Sequence, residues 1–212
     1  GEYLYRPFVR LLGDIVFVRT DLAAMRRQLQ GDVKGVLAVK HEPDPAAIRR
    51  NFVVVEDGGG RVTRVIEKPR HPQTQLKGCG LYLFDPTVFD AVRRTPRSAL
   101  RNEYEITDAI QIFIDDGHEV RASRCVDDDL NLSFPEDLLA INLALLGDDV
   151  LLGEGVQPPA GSVIERSVVM DGVIFDGPVT LRDSLVFPHS RLASGASHDR
   201  RIVTPERVVS CA

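Results

Sequence analysis

The sequence has no tryptophan, only three cysteines and no long apolar run. The cysteines, Cys79, Cys125 and Cys211, are too few and too scattered for a disulfide framework, and they suit the reduced thiols of the cytoplasm. No apolar stretch approaches the roughly 20 residues that a helix needs to span a bilayer. The first residues also lack the pattern of a secretory signal peptide. We therefore expect a cytoplasmic protein that does not associate with a membrane.

An excess of positive charge is also missing. The chain has 26 lysines and arginines against 31 aspartates and glutamates, for a net charge of −5. General nucleic-acid binding needs a concentrated basic face, so we do not expect a nucleic-acid partner. A nucleotide substrate stays compatible with this balance, because one metal ion and one lysine can neutralise phosphates locally.

The 212 residues, of which 43% are apolar, suffice for one large domain or for a medium domain with a small one. Residues 1–150 alternate strand-like and helix-like segments, which is typical of an α/β domain. A glycine run at residues 57–60 has strands on both sides and no helix after it, so a hairpin turn is favoured over a phosphate-binding loop. Helices are predicted to begin near four capping residues, which are Thr20, Asp85, Thr107 and Ser133.

The pattern changes at about Gly155, where β-branched or apolar residues begin to recur every six positions. One such row is Val168, Ile174, Thr180, Val186 and Leu192. A period of six is what a parallel β-helix requires. We expect a short β-helix of roughly two coils over residues 151–212, with an irregular β tail as the alternative.

Two strand ends carry residues suited to substrate chemistry. Asp14 follows a strand, at the position where open α/β sheets bind ligands, and its carboxylate suits a hard divalent cation. The alternative is that Asp14 only forms a turn. Glu67 and Lys68 close another strand, where a carboxylate suits sugar hydroxyls and a lysine suits a phosphate. A solvated ion pair is the alternative reading of those two residues.

A third segment lies ahead of the helix expected near Ser133. Asn131 offers a neutral oxygen ligand there. The acidic run Asp127-Asp128-Asp129 just before it is expected to be a solvated loop rather than a metal site.

In this order the segments resemble the sugar-1-phosphate nucleotidylyltransferase family, typified by glucose-1-phosphate thymidylyltransferase. The resemblance covers about residues 1–147 and rests on 12–14, 60–69, 80–85, 102–110, 134–139 and Asn142. It implies a Rossmann-like mixed-sheet nucleotidyltransferase domain in residues 1–150, followed by a short left-handed β-helix in residues 151–212.

The resemblance also implies roles for individual residues. Asp14 would hold Mg²⁺ together with Asn131, which stands where most members have an aspartate. Lys68 would meet the phosphate of a sugar 1-phosphate and, with Asp14, act in catalysis.

Three further residues would form the sugar-binding side of the site. Glu67 would bind sugar hydroxyls, Gly80 would allow the backbone to approach the sugar, and Glu105 would lie near the sugar pocket.

The implied reaction joins a sugar 1-phosphate, glucose 1-phosphate by preference, to dTTP or UTP and releases pyrophosphate. The resemblance further implies a homo-oligomer, formed in part through the β-helix tail.

Two departures from the family pattern favour an alternative. The chain shows no counterpart of the Gly-rich, Arg-containing loop that grips the triphosphate, so the nucleotidyltransferase domain looks incomplete. Phe52 stands where members usually have a glycine that contacts the sugar. The alternative is a non-catalytic regulatory or assembly paralogue.

Overall fold

The computed structural model describes residues 5–99 and 102–211. The chain divides into two compact units, Gly1–Asp129 and Leu130–Ala212. This division falls about 20 residues before the boundary that the sequence suggests at residue 150, because the long helix after residue 134 packs with the C-terminal unit. Within the described ranges, no helix is both long and apolar enough to cross a membrane.

The N-terminal unit is an α/β structure. Its elements are β1 (Phe8–Leu11), β2 (Ile15–Thr20), α1 (Leu22–Gln28), β3 (Val33–His41), α2 (Pro45–Arg50), β4 (Phe52–Glu56), β5 (Val62–Glu67), β6 (Leu76–Phe84), α3 (Val88–Arg94), α4 (Ile106–Asp115), β7 (Glu119–Ser123) and the start of β8 (Val126–Asn131). The main sheet has the order β5-β4-β6-β3-β7, and β1 also pairs with β6. Strands β3 and β7 are parallel and the other pairs are antiparallel, which confirms the mixed sheet.

All four helix starts differ from the prediction. Helix α3 begins at Val88 after Thr87 rather than after Asp85, and the helix predicted at Ser133 begins at Pro135 after Phe134. The carboxylate of Asp21, rather than Thr20, caps α1 by accepting a hydrogen bond from the Ala24 amide at 2.9 Å. Helix α4 begins at Ile106 after Glu105, so Thr107 lies inside the first turn and is not the cap. Thr20 and Asp21 are adjacent residues of types that cap helices, so the sequence alone does not choose between them for α1.

Helix α2 is not among the four helices predicted from the sequence. Asp44 accepts hydrogen bonds from the amides of Ala46 and Ala47, and Pro45 occupies the first helical position. Proline is well suited to that position because the amide that it lacks has no partner within the helix.

The main sheet has an apolar core on each face. One core combines residues of β4 and β6 with α3 and α4, and it contains a run of stacked rings in which Tyr82 and Phe84 lie 5.8 Å apart. The other core packs Met25 of α1 against residues of β3 and β6. Aromatic pairs at such distances add to the free energy of burial.

The three cysteines are free and buried. Burial raises the pKa of the Cys79 thiol to about 12, and it also raises the pKa of Cys125 and of Cys211. Because the thiolate is the reactive form, we expect the native protein at pH 8 to release no colour from a thiol-exchange reagent within minutes. Three equivalents should react after denaturation, and rapid labelling of a native thiol would contradict this burial.

The C-terminal unit contains helix α5 (Pro135–Leu146) and a parallel β-helix of about three turns, one more than predicted. Its strands are β9 (Leu151–Leu152), β10 (Val163–Glu165), β11 (Val168–Val169), β12 (Ile174–Phe175), β13 (Thr180–Arg182), β14 (Leu185–Val186), β15 (Arg191–Leu192), β16 (Ser197–Asp199), β17 (Arg201–Val203) and β18 (Val208–Ser210). Leu139 and Leu143 of α5 pack on β11, β14 and β17, so the helix belongs to the same core as the coil.

The repeat of the coil is 17 residues, since Val168 pairs with Leu185 and Leu185 with Ile202. The three strands of each turn therefore follow one another at steps of five or six residues. A strict period of six falls out of register with the coil by one residue per turn. Ile174, a member of the predicted row with a period of six, is 52% exposed. The five-residue step contains a residue with positive φ in each turn, namely Arg166, Asp183 and Arg200.

Candidate active site

The turn that carries Asp14 is held against β6. The Leu12 amide donates a hydrogen bond to the carbonyl of Gly80 at 3.0 Å, and Asp14 itself is exposed. Gly80 has φ = 70°, and a Cβ at this position would lie 2.7 Å from Cδ1 of Ile15. Only glycine fits both constraints. Gly80 thus has a structural reason for being glycine, and its role toward a sugar stays a prediction.

Glu67 and Lys68 lie at the end of β5 with distinct environments. Glu67 is half-buried, and the hydroxyl of Thr107, at the start of α4, donates to its Oε2 at 3.3 Å. Lys68 is exposed, has φ = 40°, and donates its amide to the carbonyl of Asn51 at 2.8 Å. A residue other than glycine in the left-handed region costs about 1–2 kcal/mol. Strain of this kind, held by surrounding structure, concentrates at binding sites.

Phe52 lies directly opposite Glu67 in the pairing of β4 with β5. Its side chain is 6% exposed and its ring stacks on that of Tyr82, with the ring centroids 6.1 Å apart. A Cβ at Gly78 would lie only 1.8 Å from the Phe52 ring. The ring therefore occupies the space that a side chain at position 78 would need.

Arg10 and Tyr82 extend this face of the sheet onto β1. The guanidinium of Arg10 lies 5.7 Å from the centre of the Tyr82 ring, a cation–π distance. Burial raises the pKa of Tyr82, so its hydroxyl stays protonated at neutral pH. The sequence pattern did not point to either residue, because each occupies an ordinary strand position.

Glu105 lies at the start of α4, beside a cavity of about 250 Å³. The cavity is lined mainly by apolar side chains of β1, α3 and α4, with Arg10 and Tyr104 among the polar ones. Glu105 lines this cavity, whereas Glu67 and Thr107 are not among its lining residues.

The opposite face of the sheet carries a buried ionic network. Lys77 is 2% exposed and its Nζ lies 2.7 Å from Oδ2 of Asp129, which is 5% exposed. Lys40 pairs with Asp128, and its Nζ lies 3.1 Å from Oδ1 of Asp129, as an ion pair rather than a directed hydrogen bond. The expectation of a solvated loop is wrong for Asp128 and Asp129, because β8 places them against two lysines.

The network also concerns Asn131, which is the uncharged one of the two predicted metal ligands. Burial opposes the charge of Lys40, but the hydrogen bond to Asp128 and the negative charges of Asp128 and Asp129 outweigh it and raise the pKa of the lysine. The carboxylate of Asp129 is thus committed to Lys40 and Lys77. It is not available to supply the negative charge that Asn131 lacks.

Asp14 belongs to the N-terminal unit, and Asn131 ends β8 in the C-terminal unit. In the part of the chain that the structure describes, no group of three or more His, Cys, Asp or Glu side chains is arranged to hold a metal ion. Mg²⁺ needs no such cage, because it is usually held by one or two carboxylates, water and substrate phosphates. An exposed carboxylate and an amide oxygen fit that chemistry, and the metal site stays a prediction.

Residues 4–129 match the family model described as nucleotidyl transferase. The chain is 32% identical over 178 residues to the low-salt glycan biosynthesis nucleotidyltransferase Agl11 of Haloferax volcanii, covering 84% of this chain and 45% of the relative. It is 31% identical to a glucose-1-phosphate thymidylyltransferase of Streptomyces griseus, covering 93% of this chain and 53% of that relative. The corresponding enzyme of Streptomyces antibioticus is 36% identical, covering 78% and 46%. The chain spans about half the length of these relatives.

The fold is similar to that of solved structures. A Bacillus anthracis protein assigned as a glucose-1-phosphate thymidylyltransferase, solved with sucrose, gives a TM-score of 0.54 at 21% identity, over 66% of this chain and 55% of that one. A UDP-glucose pyrophosphorylase solved with UDP-glucose gives 0.51 at 20% identity, over 63% and 53%. At these identities the likeness concerns the fold alone.

Proposed function

Because this chain belongs to the nucleotidyl transferase family, we propose that its N-terminal unit carries the sugar-phosphate side of a sugar-1-phosphate nucleotidylyltransferase site. The proposal rests on the two residues at the end of β5. There Glu67 is contacted by Thr107, while Lys68, held at positive φ, is exposed. A carboxylate suited to sugar hydroxyls thus adjoins a cation suited to a phosphate.

The proposed substrates are glucose 1-phosphate and either dTTP or UTP. Support comes from relatives named as glucose-1-phosphate thymidylyltransferase and as UTP–glucose-1-phosphate uridylyltransferase. The products would be an NDP-sugar and pyrophosphate.

The chemistry asks little of the protein beyond positioning and charge. The phosphate oxygen of the sugar is ionised at neutral pH, so its in-line attack on the α-phosphorus of the triphosphate needs no general base. Lys68 would bind and neutralise that phosphate, and Glu67 would orient the sugar through its hydroxyls. Asp14 and Asn131 would hold Mg²⁺, which supplies further neutralisation of phosphate charge when it is bound.

We also propose a cytoplasmic homo-oligomer that uses the β-helix for part of its contacts. Apolar side chains on the C-terminal unit support this, since Leu151, Ile174 and Val208 are each more than half exposed. Leu151 and Val208 lie on the two edge strands of one sheet, and Ile174 lies on another sheet, so each marks a separate place for such a contact.

Pyrophosphate release tests the proposed activity. The full-length gene product is supplied with Mg²⁺, a panel of nucleoside triphosphates and a panel of sugar 1-phosphates. At least one pair should release pyrophosphate and yield an NDP-sugar in equal amount. If no pair turns over while the protein binds a catalytic homologue, the regulatory or assembly role replaces the proposed activity.

Changing Lys68 to Ala should raise KM for the sugar 1-phosphate about 10- to 100-fold, since a hydrogen bond to a charged group contributes about 1.5–3 kcal/mol. The KM for the triphosphate should change much less. Arg70→Ala is the matched control, because Arg70 is an exposed cation two residues away. An unchanged KM for the sugar phosphate in Lys68→Ala would remove the assignment.

A further inference from the structure

Strand β1 directs one cation toward the apolar core of the main sheet. Phe8 and Arg10 are the direct partners of Phe84 and Tyr82 in the antiparallel pair β1–β6. Directly opposed residues of such a pair lie on the same face of a sheet, and this face is the one that packs against α3 and α4. Val9, between them, is 47% exposed on the other face. Arginine is rarely placed toward a core without a partner, so its presence at position 10 calls for a physical explanation.

The hydrogen-bonding capacity of Arg10 is not filled by the protein. Its guanidinium lies 5.7 Å from the centre of the Tyr82 ring, and its Nη1 atom is out of contact with solvent. Among the residues that the structure describes, none accepts a hydrogen bond from Nη1. A buried donor without an acceptor destabilises a fold, and the cost is larger when the group is charged. An acceptor brought by a ligand would satisfy this donor.

Arg10 lines the cavity of about 250 Å³ beside β1, α3 and α4, and most of the other lining side chains are apolar. Two of them are the rings of Phe8 and Phe89, which stack with their centroids 5.2 Å apart. An apolar cavity of about 150 Å³ holds benzene, so this one has room for a ring that carries a small substituent. Val92 also lines the cavity and is 42% exposed, so a ligand can reach it from solvent.

We propose that this cavity is a binding site for a small aromatic acid. The ring of the ligand lies among the aromatic and aliphatic side chains, and its acid group accepts hydrogen bonds from Arg10.

Glu105 also lines the cavity and repels an anion, which places the acid group at the Arg10 end. Glu105 already has an interaction within the chain, whereas Nη1 of Arg10 has no acceptor among the described residues. Arg10 is therefore the group that selects the charge of the ligand. Neither Glu67 nor Lys68 lines the cavity, so this site is separate from the proposed sugar-phosphate site and does not depend on it.

Calorimetry on the 212-residue chain tests the proposal with benzoate as the probe and benzyl alcohol as its neutral analogue. Benzoate should occupy one site per chain and bind about tenfold or more tightly than benzyl alcohol, the factor expected for a hydrogen bond to a charged group. Arg10→Met keeps an apolar stem against the core but removes the donor, and it should bind benzoate no more tightly than benzyl alcohol. Arg6→Met is the matched control, because Arg6 is an exposed cation on the same segment, and it should keep the preference.

A second variant tests the cavity itself and leaves the cation in place. Val92→Trp adds a large side chain at a partly exposed wall of the cavity, so it should weaken the binding of benzoate and of benzyl alcohol alike. In an NMR titration of the ¹⁵N-labelled chain, benzoate should shift the amides of Phe89, Val92 and Ala109. An excess of glucose 1-phosphate should not reverse these shifts.

Four results would overturn the proposal. The first is the absence of saturable benzoate binding by the folded chain, and the second is an unchanged preference for benzoate in folded Arg10→Met. The third is a set of benzoate shifts centred on Glu67 and Lys68, which would assign the probe to the proposed sugar-phosphate site. The fourth is a change of oligomeric state in Arg10→Met without benzoate binding by the unmodified chain, which would assign the cavity to a second copy of the protein.

Discussion

Replacing Lys77 with methionine is expected to lower the free energy of unfolding by about 3–5 kcal/mol, the usual cost of removing one partner from a buried ion pair. The change leaves Asp129, which is 5% exposed, with only the looser contact to Lys40. Urea unfolding at pH 7, followed by circular dichroism, measures the loss.

Two controls show whether burial is the cause. Lys77→Met combined with Asp129→Leu removes both charges and should recover most of the loss, because an apolar pair can replace a buried ion pair. Breaking an exposed pair, by Arg191→Ala opposite Asp176 on the β-helix, should lower the free energy of unfolding far less, because solvent screens exposed charges. Equal losses in the buried and the exposed variant would contradict the role given to the network.

Changing Asp14 to Asn is expected to lower kcat/KM of the full-length protein about 1,000-fold, because a catalytic metal ion supplies several kcal/mol of charge stabilisation. The amide keeps the shape of the turn that Gly80 supports, so folding should be unaffected. Pyrophosphate release over a range of Mg²⁺ concentrations measures the effect, and excess Mg²⁺ should restore part of the rate.

Asp21→Asn is the matched control for this change. Asp21 is also an exposed aspartate, but it caps α1, and asparagine caps helices equally well. Its rate should match that of the unmodified protein. If Asp14→Asn retains full activity, Asp14 is a turn residue and not a metal ligand.

The sequence predicted those parts of the fold that depend on local patterns, such as apolar periodicity and turn-forming residues. The alternation of apolar runs and helix-like segments predicted the mixed α/β domain, and the hairpin at β4–β5 followed from its glycine turn. The coil was also predicted, but its repeat of 17 residues was not. A step of five in place of six depends on a tight corner at residues with positive φ, and arginine, which stands there as Arg166 and Arg200, is not a residue type that predicts one.

The candidate site also has parts that the sequence could predict and parts that it could not. Asp14, Glu67 and Lys68 could be predicted as site residues because they stand at strand ends, where ligands bind open sheets, and their roles stay predictions. The ion pair of Lys77 with Asp129 joins residues 52 positions apart, and no local pattern marks such a contact.

The fit of Phe52 over Gly78 is another contact between distant strands, visible only once β4 and β6 are in register. The sequence could flag Phe52 as a departure from the family pattern. It could not show that a glycine on the neighbouring strand makes room for the ring.

The most direct test of a sugar-phosphate site at the end of β5 is an NMR titration of the ¹⁵N-labelled 212-residue chain with glucose 1-phosphate. A site there predicts saturable shifts centred on the amides of Glu67, Lys68 and Thr107, and their loss in Lys68→Ala. Shifts that do not saturate, or that centre on the β-helix and survive in Lys68→Ala, would contradict it.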